Sequence, residues 1–262
     1  MMDHRTGAGL AIAAACLAFA LGAASAEAPV ALKAQPAVGK RTDALPRLVG
    51  TSAPIKKINT ALARGDVRLR KAVADCRDGA KSMEATGWSW EREVTAPMRG
   101  PAFVSLVAID GYDCGGAHPD GSTLALTYDL STGGPIDWSH YLPANLAADQ
   151  GRSNASDGTV VGVVTSSALI AWYRTAAIGA LDGELKTDCK DVLDTNVSGL
   201  ILWVDAKRGG VAMSAADLPH VVAACAVDVV MPLAELRKRG ASPKLIDAID
   251  TAHRARAWTD SF

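Results

Sequence analysis

The chain has no surplus of basic charge. Its 27 Lys and Arg residues stand against 28 Asp and Glu, a formal net charge of −1. A nucleic-acid binder neutralises phosphates with clustered cations, so this balance argues against such a partner. Aromatic residues are scarce, at 5% of the sequence. No Cys-x-x-Cys or His-x-x-x-His spacing occurs, so the sequence carries no metal-site signature. There is no Gly-x-Ser-x-Gly elbow to expose a nucleophilic serine. Beyond the N-terminal apolar run, no stretch is long and apolar enough to span a membrane. Val160 to Ile178 comes closest, but Ser166, Ser167, Tyr173 and Arg174 interrupt it.

What is present begins with an export signal. Met1–Arg5 is a short basic n-region, and Gly7 to Ala24 is apolar and alanine-rich. Ala24-Ser25-Ala26 places small residues at the −3 and −1 positions, so residues 1–26 read as a secretory signal peptide cleaved after Ala26. Ala26-Glu27-Ala28 is a second cleavage candidate. Cys16 sits in the middle of the apolar run, which argues against lipidation there. The expected location is periplasmic or secreted, with no membrane span after cleavage. Removing Asp3 and Arg5 together leaves the net charge unchanged.

Four cysteines remain: Cys76, Cys114, Cys189 and Cys225. An even number in an exported chain points to disulfides. Of the three connectivities, Cys76–Cys114 and Cys189–Cys225 are favoured, because each joins neighbours in sequence within one half of the chain. Neither a metal nor a cofactor is expected.

Residues 27–46 read as a flexible, polar lead-in. Ser52 and Pro54 start a helix on which Ile55, Ile58, Leu62, Leu69 and Val73 recur at helical spacing, and Gly65-Asp66 is a candidate break. Trp88 to Val94 and Ala102 to Ile109 read as strands, with Trp88 and Trp90 sharing a face. Leu124, Leu126 and Tyr128 alternate as a half-buried strand does. Gln150 to Gly158 reads as a loop and Ser166 to Ile178 as a helix. Leu200 to Val204 and Val227 to Val230 read as strands, and helices start at Pro232 and at Ser242-Pro243. Strands and helices do not alternate as βαβ units. The expected fold is therefore α+β, a mainly antiparallel sheet packed with helices in a single compact domain, 47–258. Its halves are 47–142 and 159–258.

The densest signal is GYDCGGAHPDGSTLALTYDL, residues 111–130. Gly115 and Gly116 allow restricted backbone conformations, and Pro119 fixes one φ angle, so this is a specified turn feeding a strand. With Tyr128-Asp129-Leu130, Thr132-Gly133 and the segment from Trp138 to Leu142, the pattern resembles the extracytoplasmic domain of RsiV-type anti-sigma factors and PdaC-type peptidoglycan deacetylases. Pro46-Arg47-Leu48, Ile58-Asn59, Gly199-Leu200-Ile201-Leu202 and Met231-Pro232-Leu233-Ala234-Glu235-Leu236 are similar to its other landmarks. The resemblance implies a secreted α+β domain that binds rather than catalyses. In RsiV-type proteins this region is a receptor for lysozyme, and in the deacetylases it accompanies a separate catalytic domain.

The expected function is an exported, periplasmic, non-catalytic interaction module of the cell envelope, with a lysozyme-like protein or peptidoglycan as ligand. No catalytic residue is assigned. The candidate ligand surface comprises Tyr112, His118, Trp138, His140 and Tyr141, a concentration of ring side chains such as interface hot spots use. Trp138 and Tyr141 could equally close the core. The alternative is a small envelope hydrolase in which His118 acts as general base beside Asp113 or Asp120.

Overall fold

The computed structural model describes residues 28–147, 149–216 and 218–262. The expected signal peptide, its cleavage sites and Cys16 fall outside them. Ser52 accepts a hydrogen bond from the Ile55 N–H, and Pro54 occupies the first turn, so α1 (Ala53–Ser82) starts where its sequence places the cap. The helix then runs 30 residues without the break expected at Gly65-Asp66. The reason is tertiary. Asp66 is buried, takes the Leu45 N–H at 2.9 Å and pairs with Arg47. A β-carbon at Gly65 would lie 2.9 Å from Leu45 Cδ1, so glycine is what admits that side chain. These contacts outweigh the roughly 1 kcal/mol that glycine costs inside a helix. Ile58, Leu62 and Leu69 form the fully buried stripe. Beside it, Asn59 brackets the Leu48 backbone, accepting its N–H at 2.8 Å and donating to its carbonyl at 2.9 Å.

Those bonds hold down a segment expected to be a flexible lead-in. Its β1 (Leu32–Lys33) pairs with β2 (Arg47–Leu48). Val30 donates to the Arg99 carbonyl at 2.9 Å, and the Thr42 hydroxyl reaches the Trp90 carbonyl at 2.8 Å. Polar composition concealed this order because the partners lie far along the chain.

Four strands form an antiparallel sheet in chain order: β3 (Ser89–Arg99), β4 (Phe103–Asp113), β5 (Asp120–Asp129) and the short β6 (Gly134–Pro135). Trp88 precedes β3 and is exposed, so the expected pair of tryptophans on one face is absent. Trp90 is buried, donates to Asp110 at 3.1 Å and stacks on Tyr112 with ring centroids 4.7 Å apart.

Past β6 come a 3-10 turn at Trp138–His140 and α2 (Ala144–Ala147). The second large sheet contains β7 (Gln150–Asn154), β8 (Val160–Val164), β9 (Leu200–Asp205), β10 (Gly210–Ala215) and β11 (Val229–Pro232), in the order β11-β10-β9-β8-β7. Residues 150–154 are thus an edge strand rather than a loop. Their polar side chains suit an edge with no core face to fill. Between β8 and β9 lie α3 (Ser167–Ala180) and α4 (Gly183–Asn196), and α4 carries no apolar periodicity strong enough to announce itself. The chain closes with α5 (Leu233–Arg239) and α6 (Pro243–Arg254), the latter capped by Ser242. Thr259 and Ala96 exchange two backbone bonds of 2.8 and 2.9 Å, which moor the C-terminus to β3.

The fold is α+β, with antiparallel sheets and six helices among the described residues. β4, β5 and β9 bring the two large sheets together, and every residue of β9 is buried. Ile201 and Trp203 share one core with Val107, Ala125, and Ile58 and Leu62 of α1. Leu200, Leu202 and Val204 join a second core with α3, α4 and α6. Two disulfides match the expected pairing. Cys76–Cys114 ties the end of α1 to the end of β4, and Cys189–Cys225 ties α4 to the segment before β11.

Candidate functional site

The strand β5 separates the residues that the sequence grouped. The turn with Gly115, Gly116, His118 and Pro119 leads into its first residue, and Trp138, His140 and Tyr141 follow its last. A strand of this length at about 3.3 Å per residue holds its two ends roughly 30 Å apart. Tyr112 and His118 therefore lie at the opposite end of β5 from Trp138, His140 and Tyr141. Within the second group, Trp138 and Tyr141 are buried, and Tyr141 meets Phe103 edge-on with centroids 5.1 Å apart. They close the core. His140 is exposed, with Nε2 3.9 Å from Asp137.

His118 is exposed. Asp113 Oδ1 accepts the Gly115 N–H at 2.9 Å, and Asp120 Oδ1 accepts the Gly121 N–H at 2.7 Å. Both carboxylates thus organise the local backbone. Positive φ falls on Gly115, at 83°, and not on Gly116. Along the first half of β5 lies a recess of about 460 Å³. Among the described residues the one fully buried carboxylate that borders it, Asp110, is already held by Arg92.

A larger cleft, about 570 Å³, opens along the other half of β5. Its origin is topological. β6 pairs only with Tyr128 and Asp129, so the outer edge of β5 carries no strand from Leu126 back to its start. β8 pairs with β9 only at Val164–Leu200 and splays away toward its N-terminal end. α1 walls the gap that remains. Leu126, Ile136, Trp138 and Leu202 supply apolar lining, and Val160, more than half exposed, stands at the lip with Gly162.

The α1 wall is cationic. Lys57, Arg64 and Arg68 stand at helical spacing on one face, one position before the buried residues Ile58, Gly65 and Leu69. Lys57 donates to the Thr132 carbonyl at 3.4 Å and Arg68 to the Thr159 hydroxyl at 3.1 Å. Arg64 is exposed and makes no hydrogen bond or ion pair to a described residue. Among the described residues the lining contains no Asp, Glu, His or Cys. Burial pushes the Tyr128 phenol up to about 12 despite the nearby Arg68 charge, so the group remains a neutral donor. Its hydroxyl bonds no described residue.

None of these cations entered the sequence reading. The spacing of Lys57, Arg64 and Arg68 along α1 was the available signal, but nothing local says that two frayed strand edges lie across from it.

No protein-family model matches the sequence, and no curated protein matches it. Among solved structures, the chain is similar to a DUF3298 family member from Bacteroides fragilis, at 13% identity and a TM-score of 0.44, covering 77% of this chain and 74% of that one. It is also similar to a DUF3298 family protein from Pseudomonas aeruginosa, at 14% identity and a TM-score of 0.36, covering 61% of this chain and 64% of the other.

Proposed function

We propose that the protein is an exported, non-catalytic binding module of the cell envelope, akin to the extracytoplasmic domain of RsiV-type proteins, and that it binds its ligand in the α1 cleft. The observation that carries this reading is the make-up of the cleft: cations and a neutral phenol on an apolar floor. Such a lining offers recognition, a few convergent polar groups over apolar surface. The general base of the hydrolase alternative, His118, lies outside it. Two disulfides suit an oxidising compartment, and the periplasm is the one proposed.

Trp138 lines the cleft and reports its occupancy. The test titrates the purified exported chain with lysozyme and with soluble peptidoglycan fragments, following tryptophan fluorescence and binding heat. A Gly162→Phe variant, which fills the cleft, serves as control. Saturable binding lost in that variant supports the reading. Turnover of peptidoglycan that depends on His118 would replace it with the hydrolase alternative.

A further inference from the structure

We propose that the ligand of the α1 cleft is an amphiphilic anion: a linear hydrocarbon chain ending in a carboxylate or a phosphate. The inference rests on the reading of the cleft as a binding site and names the chemistry it selects. Two independent properties of the lining point the same way.

The first is charge. Three cations project from one helix face, and no carboxylate among the lining residues neutralises them. Arg64 is the informative one, because unlike Lys57 and Arg68 it makes no hydrogen bond or ion pair to a described residue. A guanidinium fork presents paired donors to a carboxylate or phosphate, and such charge-assisted bonds are the strong class. The Tyr128 hydroxyl adds a donor that bonds no described residue either. Arg64 and Tyr128 thus give the cleft two side-chain donors without a partner among the described residues.

The second is the apolar surface opposite. Leu126, Ile136 and Leu202 lie in the floor, and Val160 is 56% exposed at the lip. A free inorganic anion or a bare sugar would satisfy the cations and leave this surface wet. A neutral hydrocarbon would cover the surface and leave the donors unmet. An alkyl chain with one anionic head does both, and the cleft volume lies within the roughly 300–1,000 Å³ of ordinary ligand pockets. A free fatty acid and a phosphate-headed single-chain lipid share this chemistry.

The experiment measures binding heats of the exported chain with dodecanoate, dodecyl phosphate, dodecanol and dodecyltrimethylammonium, each below its micelle concentration. Both anions are expected to bind at least about tenfold tighter than dodecanol, and the cation more weakly still. The tighter anion identifies the source. Arg64→Glu should cut the preference for anions over dodecanol at least about tenfold. Gly162→Phe should weaken all chains: a β-carbon there meets nothing within 4 Å, so the ring enters open space without displacing backbone. Ala61→Trp fills the cleft from the helix side and repeats the test should the first variant misfold.

Equal affinity for dodecanoate and dodecanol overturns the proposal, as does anion binding that survives both filling variants. If no amphiphile binds, yet lysozyme or peptidoglycan fragments bind and Gly162→Phe abolishes it, the ligand class is wrong and the binding-module reading stands. If nothing binds, both fall.

Discussion

Tyr141 donates its phenolic hydrogen to Asp129 Oδ2 at 2.6 Å, fastening the segment after the 3-10 turn to the last residue of β5. The Ser131 N–H reaches Oδ1 at 2.7 Å, joined by its hydroxyl, and Lys244 of α6 approaches Oδ2 at 3.4 Å. Asp129 is thus the knot where β5, its exit turn and α6 meet.

The first prediction concerns acid. Burial pulls the Asp129 carboxyl upward, but the hydrogen bonds from Ser131 and Tyr141 and the Lys244 charge outweigh it and hold it at about 2, against an ordinary 3.8. A carboxyl lowered on folding stabilises the fold above its unfolded value and loses that contribution as pH falls through the folded one. Asp129→Asn should therefore melt well below the parent at pH 7, with the gap narrowing between pH 4 and 2. Tyr141→Phe should cost about 1–3 kcal/mol at pH 7, the price of a buried acceptor losing its donor. Thermal melts across pH decide both, and a gap that stays constant with pH would contradict the assignment.

A second prediction separates the two glycines of the turn. Gly115 has φ 83°, and a β-carbon on it would meet Ala80 Cα at 2.9 Å. Gly116 has open space around the same position. Gly115→Ala should cost at least about 1–3 kcal/mol, from strain and from the collision with α1. Gly116→Ala should stay within about 0.5 kcal/mol, as surface changes do. Gly133 is the stricter case in the neighbouring motif: φ is 65° and the Pro54 carbonyl oxygen would lie 2.5 Å from its β-carbon. Gly133→Ala should therefore be the worst of the three in denaturant unfolding, and any other order would count against this account.

The contrast shows what the sequence could and could not convey. Caps were legible because their chemistry is local: Ser52 with Pro54, and Ser242 with Pro243, start helices where written. The strand β5 was legible as a strand, but it is not half-buried: Ala125 and Thr127 are buried along with Leu124 and Tyr128. Gly65-Asp66 misled because both residues are justified by contacts to Leu45 and Arg47, across a chain reversal that no window contains. The distance across the candidate surface was hidden for a related reason. Tyr112 and Tyr141 are close in sequence, but the length of β5 stands between them. The cleft cations were invisible because a charged helix face ordinarily means solvent. Only the missing partner strands of β5 and β8 turn that face into a wall.

The two disulfides yield a third prediction. Each closes a loop of similar length, with sequence separations of 38 and 36. Chain entropy alone makes each worth on the order of 3–4 kcal/mol. Cys76 and Cys189 are both buried, so reduction without denaturant should be slow. Non-reducing peptide maps should show Cys76–Cys114 and Cys189–Cys225 and no mixed species. The Cys76→Ser/Cys114→Ser double variant should lower stability by a few kcal/mol. Full stability in that variant would mean the bridge constrains nothing that α1 packing does not already hold.

The last prediction links the buried charge cluster to the cleft. Arg92 grips Asp110 through two bonds of 2.7 and 2.6 Å, and Asp157 through one of 3.0 Å, with all three side chains fully enclosed. Asp157 Oδ1 also accepts the Thr159 N–H at 2.8 Å. The cluster therefore pins the turn between β7 and β8 to the first sheet, and that turn leads straight into the cleft lip at Val160. Arg92→Met would strand two buried carboxylates and should cost about 3–5 kcal/mol or prevent folding. Asp157→Ala leaves the Arg92–Asp110 pair intact and should cost less, on the order of 1–3 kcal/mol. Its signature should be local. Amide exchange at Thr159 to Gly162 should quicken while β4 stays protected, since the turn loosens without the sheet opening. Ligand affinity in the cleft should fall with it, because a wall that must be ordered on binding carries an entropic cost that a fixed wall does not. Uniform loss of protection across both sheets would show that the cluster supports the whole fold rather than this lip.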